Sequence, residues 1–252
     1  VSTQSTGNVS FLDDLMKNTK PTLKFNVILL NYQLPSWWEN ALHYAEQIVV
    51  ADGGAEQFIH KKQEYLSKCI ILGDLDSISK KTSQQLKNSG YKIVQDPDQN
   101  TTDCEKAINY LKSLNMQNDT QTFDNIDNIE NQQTQNLPVI ILGALGGRMD
   151  HTLYNVNLVY QNINHLDIFL VNKTNLVFLI IQNAKIVTNQ CETVGIFPFI
   201  PCNVKTRGLK WNLEGEIGFG GLVSVSNSVL GKEFEVDTNE MLQIILTGNY
   251  EK

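Results

Sequence analysis

Between residues 23 and 172 the chain alternates short apolar runs with amphipathic stretches, and this restricts the possible fold more than any other feature. The runs at 25–30, 48–51, 69–72, 91–94, 139–142 and 167–171 have strand length and strand-forming side chains. Between the first two, Trp38, Ala41, Leu42 and Ala45 recur at i, i+3, i+4 and i+7. Stretches at 55–62, 79–88, 107–114 and 153–163 also read as helices. Buried strands separated by helices must be covered on both faces, which predicts an α/β domain with a Rossmann-like parallel sheet.

After residue 172 the pattern changes. Short β-rich runs at 176–181, 184–188, 193–199, 209–213, 222–225, 234–236 and 241–246 are punctuated by Gly, Pro and Asn. That rhythm predicts an all-β sandwich. The chain divides accordingly into a flexible segment (1–22), an α/β domain (23–172) and a β-sandwich domain (173–252). Residues 115–136 are mostly Asn, Gln, Asp and Thr, too polar to offset the entropy of ordering, and read as a surface insertion in the α/β domain.

A net charge of −7 argues against a nucleic-acid partner, because a phosphate backbone calls for a basic surface. The N-terminal stretch has no apolar core of signal-peptide kind, and no run is long enough to span a bilayer. Cys69, Cys104, Cys191 and Cys202 form no Cys-x-x-Cys pair, so reduced thiols in a cytoplasmic protein are expected.

Acidic residues stand where the strand-like runs end. Asp52 follows the run at 48–51, and Asp74 and Asp76 follow the run at 69–72. In a parallel sheet that is the ligand-binding edge. Carboxylates gathered there must repel one another or share a cation, and oxygen ligands point to Mg²⁺ carrying a phosphorylated substrate. An extended backbone would put Asp74 and Asp76 on one face. The competing reading is ordinary turn chemistry, in which each Asp bonds nearby amides. Gly53 and Gly54 permit close approach of phosphate oxygens, or simply a tight turn. Thr102 and Glu105 fit a capping box with Asp103 in the first helical turn, where it either complements the helix dipole or joins the metal site.

Residues 143–148 bring glycines between a strand and a helix, with Arg148 placed to neutralise a phosphoryl group and Asp150 placed to cap the helix. The loop matches neither the Walker A pattern nor Gly-x-Gly-x-x-Gly strictly. Further on, Ser224 and Ser226 would share one face of a strand. Trp211 is either a core residue or a surface for a flat cationic ring.

Taken in order, these motifs carry a resemblance. Ala51-Asp52-Gly53-Gly54-Ala55, Gly73-Asp74-Leu75-Asp76-Ser77, Pro97-Asp98-Gln99 with Thr102-Asp103, Gly146-Gly147-Arg148-Met149-Asp150, and 208–213 with Ser226-Asn227 are similar to those of eukaryotic thiamine pyrophosphokinases. The resemblance covers roughly residues 24–247. It implies a homodimer that transfers the pyrophosphoryl group of ATP to the hydroxyl of thiamine and releases AMP. It further implies that Asp52, Asp74, Asp76 and Asp103 form the Mg²⁺ and acid–base cluster, with Asp103 or Asp74 as the base. Gln99, Thr102, Arg148 and Asp150 would contact nucleotide or phosphate. Trp211, Ser226 and Asn227 would form the thiamine site near the dimer interface. A nucleotide-sugar transferase would also use Asp-x-Asp, but leaves the Trp211 and Thr102-Asp103 elements unexplained. A non-catalytic thiamine or nucleotide binder would not need all four aspartates.

Overall fold

The computed structural model of the chain describes residues 9–58, 65–121, 137–189, 191–248 and 250. Six strands come first: β1 (Asn26–Leu29), β2 (Ile48–Ala51), β3 (Cys69–Gly73), β4 (Lys92–Gln95), β5 (Val139–Leu142) and β6 (Ile168–Val171). They pair in parallel in the order β6-β5-β1-β2-β3-β4. Eight antiparallel strands follow: β7 (Asn175–Ile180), β8 (Ala184–Val187), β9 (Cys191–Phe197), β10 (Cys202–Arg207), β11 (Glu214–Ile217), β12 (Ser224–Asn227), β13 (Glu233–Thr238) and β14 (Leu242–Gly248). Four of them extend the parallel sheet to ten strands, as β12-β9-β14-β7 beside β6. The other four make a second sheet, β11-β10-β13-β8.

The alternation read from the sequence sets the two faces. Val27, Leu29, Ile48 and Val50 join one apolar cluster, whereas Ile28, Leu30, Val49 and Ala51 join the other. The second cluster is covered by Ala107, Ile108 and Leu111 of α5 (Asp103–Gln121) and by Val156 and Val159 of α6 (Met149–Asn162). The first takes Leu42 of α2 (Trp38–Tyr44) and Leu86 of α4 (Lys80–Asn88), then continues through Phe178 and Ile244 to Val204 and Phe234 of the smaller sheet. One core thus joins the parallel half to the sandwich. The division at 172/173 falls in the β6–β7 connection of the continuous sheet, where Leu170 pairs with Val177 and strand direction reverses.

Three expectations change. Residues 1–8 lie outside the described residues, but the rest of the segment expected to be flexible includes α1 (Phe11–Met16). Its Phe11, Leu12, Leu15 and Met16 are buried, with the Phe11 ring edge-on to Phe169 at 5.5 Å. Burial of that apolar face outweighs the polar composition around it. Helix α5 runs on to Gln121, so the polar insertion begins as helix, and 122–136 lie outside the described residues. The run at 209–213 is not a strand. The strand is β10, whose buried Cys202, Val204 and Thr206 alternate with exposed Asn203, Lys205 and Arg207. Of the helix expected at 55–62, α3 (Ala55–Phe58) is seen and the remainder is outside the described residues. No helix among the described residues is long and apolar enough to cross a membrane.

Candidate active site

Strand β2 ends in a single 3₁₀ turn, Asp52–Gly54. A Cβ on Gly54 would lie 2.8 Å from the Leu29 carbonyl oxygen, so glycine lets this turn pack directly on β1. The Asp52 side chain points to the end of β3. There a Cβ on Gly73 would lie 2.8 Å from Asp52 Cγ, so the missing side chain makes room for the carboxyl group. Asp52 Oδ2 accepts a hydrogen bond from the Leu75 amide at 2.9 Å.

The chain from Asp74 to Asp76 is not extended, which corrects the same-face reading. Leu75 is left-handed, with φ 70°, and Asp74 Oδ1 accepts from the Asp76 amide at 3.1 Å. This is the local Asp turn the sequence also allowed. The turn nevertheless gathers the acids: Asp52, Asp74 and Asp76 each offer an oxygen, all within 4.8 Å of one another. Asp52 is 1% exposed, and its Oδ1 is buried without a hydrogen-bond partner. A buried carboxylate with one unpartnered oxygen, grouped with two more carboxylates, fits a hard divalent cation.

Asp103, at the start of α5, completes the acidic group through Asp52. The two carboxyls are close enough for the Asp103 charge to act on Asp52. Burial, then the Asp103 charge, pushes Asp52 up to about 6. Asp103 is also raised, by its own burial. Asp74 goes the other way, to about 2, because the Asp76 amide and then Gln99 bond its ionised form. Gln99 Nε2 donates to Asp74 Oδ2 at 2.6 Å. Thr102 caps α5, its Oγ1 accepting from the Glu105 amide at 3.3 Å, while Glu105 Oε2 accepts from the Tyr154 hydroxyl at 2.6 Å. Sequence reasoning passed over Lys106. It is buried, donates to the Asp96 carbonyl at 3.0 Å and lowers the pKa of Asp103 by its charge. The signal was the i, i+3 spacing from Asp103.

The glycine loop after β5 lies beside the β1 end. Arg148 occupies the N-cap position of α6, and its Nε donates to Asp150 Oδ1 at 3.1 Å. Asp150 pairs with Arg148 instead of capping the helix, and both side chains are exposed. Gly146 donates its amide to Thr152 Oγ1 at 3.1 Å.

A second cluster forms in the antiparallel part. Asn227 is buried; its Oδ1 accepts from the Trp211 amide at 3.1 Å and its Nδ2 donates to the Trp211 carbonyl at 2.7 Å. The Trp211 ring is 56% exposed, so it is not a core residue, and Lys210 Nζ sits 4.4 Å from its centroid. Ser224 and Ser226 do not share a face. Ser226 is left-handed, with φ 56°, and the pairing with β9 shifts register between Ser224 and Asn227. This bulge buries Ser224 and exposes Ser226.

Comparison with known proteins bears on both clusters. The family model for the thiamin pyrophosphokinase catalytic domain matches residues 38–170, and the model for its vitamin B1 binding domain matches 181–242. The chain belongs to the thiamin pyrophosphokinase family. Thiamine pyrophosphokinase 1 of Oryza sativa subsp. japonica is 30% identical over 229 residues, covering 81% of this chain and 80% of its own. Thiamine pyrophosphokinase 1 of Arabidopsis thaliana is 27% identical over 248 residues, covering 89% and 86%. The solved thiamin pyrophosphokinase from Candida albicans superposes with a TM-score of 0.79 at 23% identity, covering 99% of this chain and 95% of its own, which establishes the shared fold. The acidic cluster lies within the family's catalytic match, and Trp211, Ser226 and Asn227 lie within its vitamin B1 match.

Proposed function

We propose that the chain transfers the pyrophosphoryl group of ATP to the hydroxyl of thiamine, forming thiamine diphosphate and AMP. The observation that carries this reading is the convergence of Asp52, Asp74 and Asp76 in a chain whose residues 38–170 and 181–242 match the family's two models. Oxygens of Asp52, Asp74 and Asp76, with Asp103 beside Asp52, would hold Mg²⁺. When bound, that ion neutralises and orients the triphosphate.

The remaining roles fall to the chain itself. The thiamine hydroxyl oxygen bonds to the β-phosphorus, the bond from that phosphorus to the α–β bridging oxygen breaks, and AMP leaves. The hydroxyl proton passes to a carboxylate. Asp103 suits this better than Asp74, because a raised pKa makes a stronger base and Asp74 is held near 2. Arg148 exchanges its Asp150 partner for phosphate oxygens, and Gly53, Gly54, Gln99 and Thr102 make the further nucleotide or phosphate contacts. Trp211 stacks on the cationic ring of thiamine, beside Ser226 and Asn227.

A homodimer accords with the exposed apolar side chains Phe199, Ile200, Phe219, Leu222 and Val225. Val225 lies on β12, an edge strand, near the thiamine-site residues. Free cysteines accord with the cytoplasm. Coupled detection of AMP tests the activity: release must require thiamine, ATP and a divalent cation together. AMP release without thiamine, or none with all three present, rejects the reading.

A further inference from the structure

The residues Asn31 and Tyr32 follow β1 and touch both halves of the site. On one side a Cβ on Gly53, in the Asp52 turn, would lie 3.0 Å from Asn31 Cβ. On the other, the Tyr32 ring covers the Gly146-Gly147 dipeptide. A Cβ on Gly146 would lie 2.7 Å from Tyr32 Cε1, and one on Gly147 would lie 2.8 Å from Cε2. Opposite edges of one ring thus meet adjacent glycines, so the ring lies across both. Each glycine has positive φ, 99° and 69°, a conformation in which a side chain would itself be strained. Gln57 Nε2 ties the pair down from α3, donating to Asn31 Oδ1 at 3.2 Å and to the Tyr32 carbonyl at 3.4 Å.

The location gives this contact its meaning. β1 runs on through β2, β3 and β4 to one side, while β5 lies on its other side. The sheet therefore changes direction between β1 and β5, where open α/β sheets bind their ligands. The loops that part there are the one carrying Tyr32 and the one carrying Gly146, Gly147 and Arg148.

We infer that Tyr32 is a positioning residue for ATP: its ring fixes the Gly146-Gly147-Arg148 loop at a set distance from the Asp52 turn. This rests on the reading of that loop as a phosphate contact. Without the ring, the two glycines can occupy many backbone conformations, and Arg148 loses its fixed approach. The hydroxyl group is not needed for this, only the ring.

Steady-state kinetics of Tyr32→Ala, Tyr32→Phe and Arg148→Ala test it. Tyr32→Ala should raise the KM for ATP about tenfold, with thiamine KM and melting temperature close to those of the parent. Tyr32→Phe should keep ATP KM within about twofold of the parent. A double-mutant cycle between Tyr32→Ala and Gly147→Ala should be non-additive, because the two groups share one contact. If Arg148→Ala raises ATP KM and Tyr32→Ala does not, the inference fails alone. An Arg148→Ala variant with unchanged ATP KM overturns the reading of the loop and the inference with it.

Discussion

Gly73 lies so close to Asp52 that a methyl group on its α-carbon would come within 2.8 Å of the Asp52 Cβ and Cγ. One strand end thus makes the space that the next strand's carboxylate fills. Gly73→Ala should displace Asp52 and lower kcat about 100-fold with the far-UV spectrum unchanged. Full activity in this variant would show that Asp52 tolerates the shift, and with it that its position is not critical.

Asp74→Asn tests the acidic cluster more directly. Asn keeps the size of the side chain and removes a negative charge from a half-buried position. Turnover should fall about 1000-fold while the melting temperature stays within a few degrees. Calorimetric titration of the variant with Mn²⁺ checks the cause, since weak metal binding and not a lost fold must explain the loss. Parent-like turnover refutes the assignment.

The pKa of Asp52 predicts how the metal-free protein responds to pH. Its value rises from 3.8 to about 6 on folding, through burial first and then the Asp103 charge. An acid raised in the folded state stabilises the fold while protonated. That contribution is full below about pH 4 and is lost as pH rises through about 6. A displacement of about 2 in pKa corresponds to at most about 3 kcal/mol. Asp52→Asn cannot ionise, so at pH 7 in chelator it should unfold at higher denaturant concentration than the parent. Urea titrations from pH 4 to 8 decide this, and an equal fall in both proteins counts against the buried, raised Asp52.

Asn227 predicts a separation of the two substrates. Its side-chain amide satisfies both the amide and the carbonyl of Trp211. Asn227→Ala leaves those groups unpaired at a cost of about 2 kcal/mol and frees the Trp211 loop. Thiamine KM should rise about tenfold while ATP KM holds. A rise in both would place Asn227 in general stability instead.

Much of the site was legible because strand ends are local signals. The apolar run before Asp52 and the one before Asp74 are short, β-branched and bounded by glycine, so both carboxylates could be placed at the same sheet edge. Other features were not legible. Leu75 and Ser226 adopt left-handed conformations that neither residue type favours, and the Leu75 amide is held by Asp52 from the neighbouring strand. Lys106 carries no local signal of burial; only the fold buries it and brings its Nζ to the Asp96 carbonyl. β10 carries no apolar run, because exposed Asn203, Lys205 and Arg207 separate its buried Cys202, Val204 and Thr206.

The sequence by itself determined the alternation of strands and helices in the first half, the parallel character of that sheet and the four acids at or beyond strand ends, because periodicity and turn residues act over a few positions. Only the tertiary structure decided that Asp52 faces Asp74, Asp76 and Asp103, that Tyr32 lies across Gly146 and Gly147, and that one sheet runs through both halves. Those relations depend on the separation of strands in space, on gaps left by missing side chains and on buried charge, none of which a local pattern encodes.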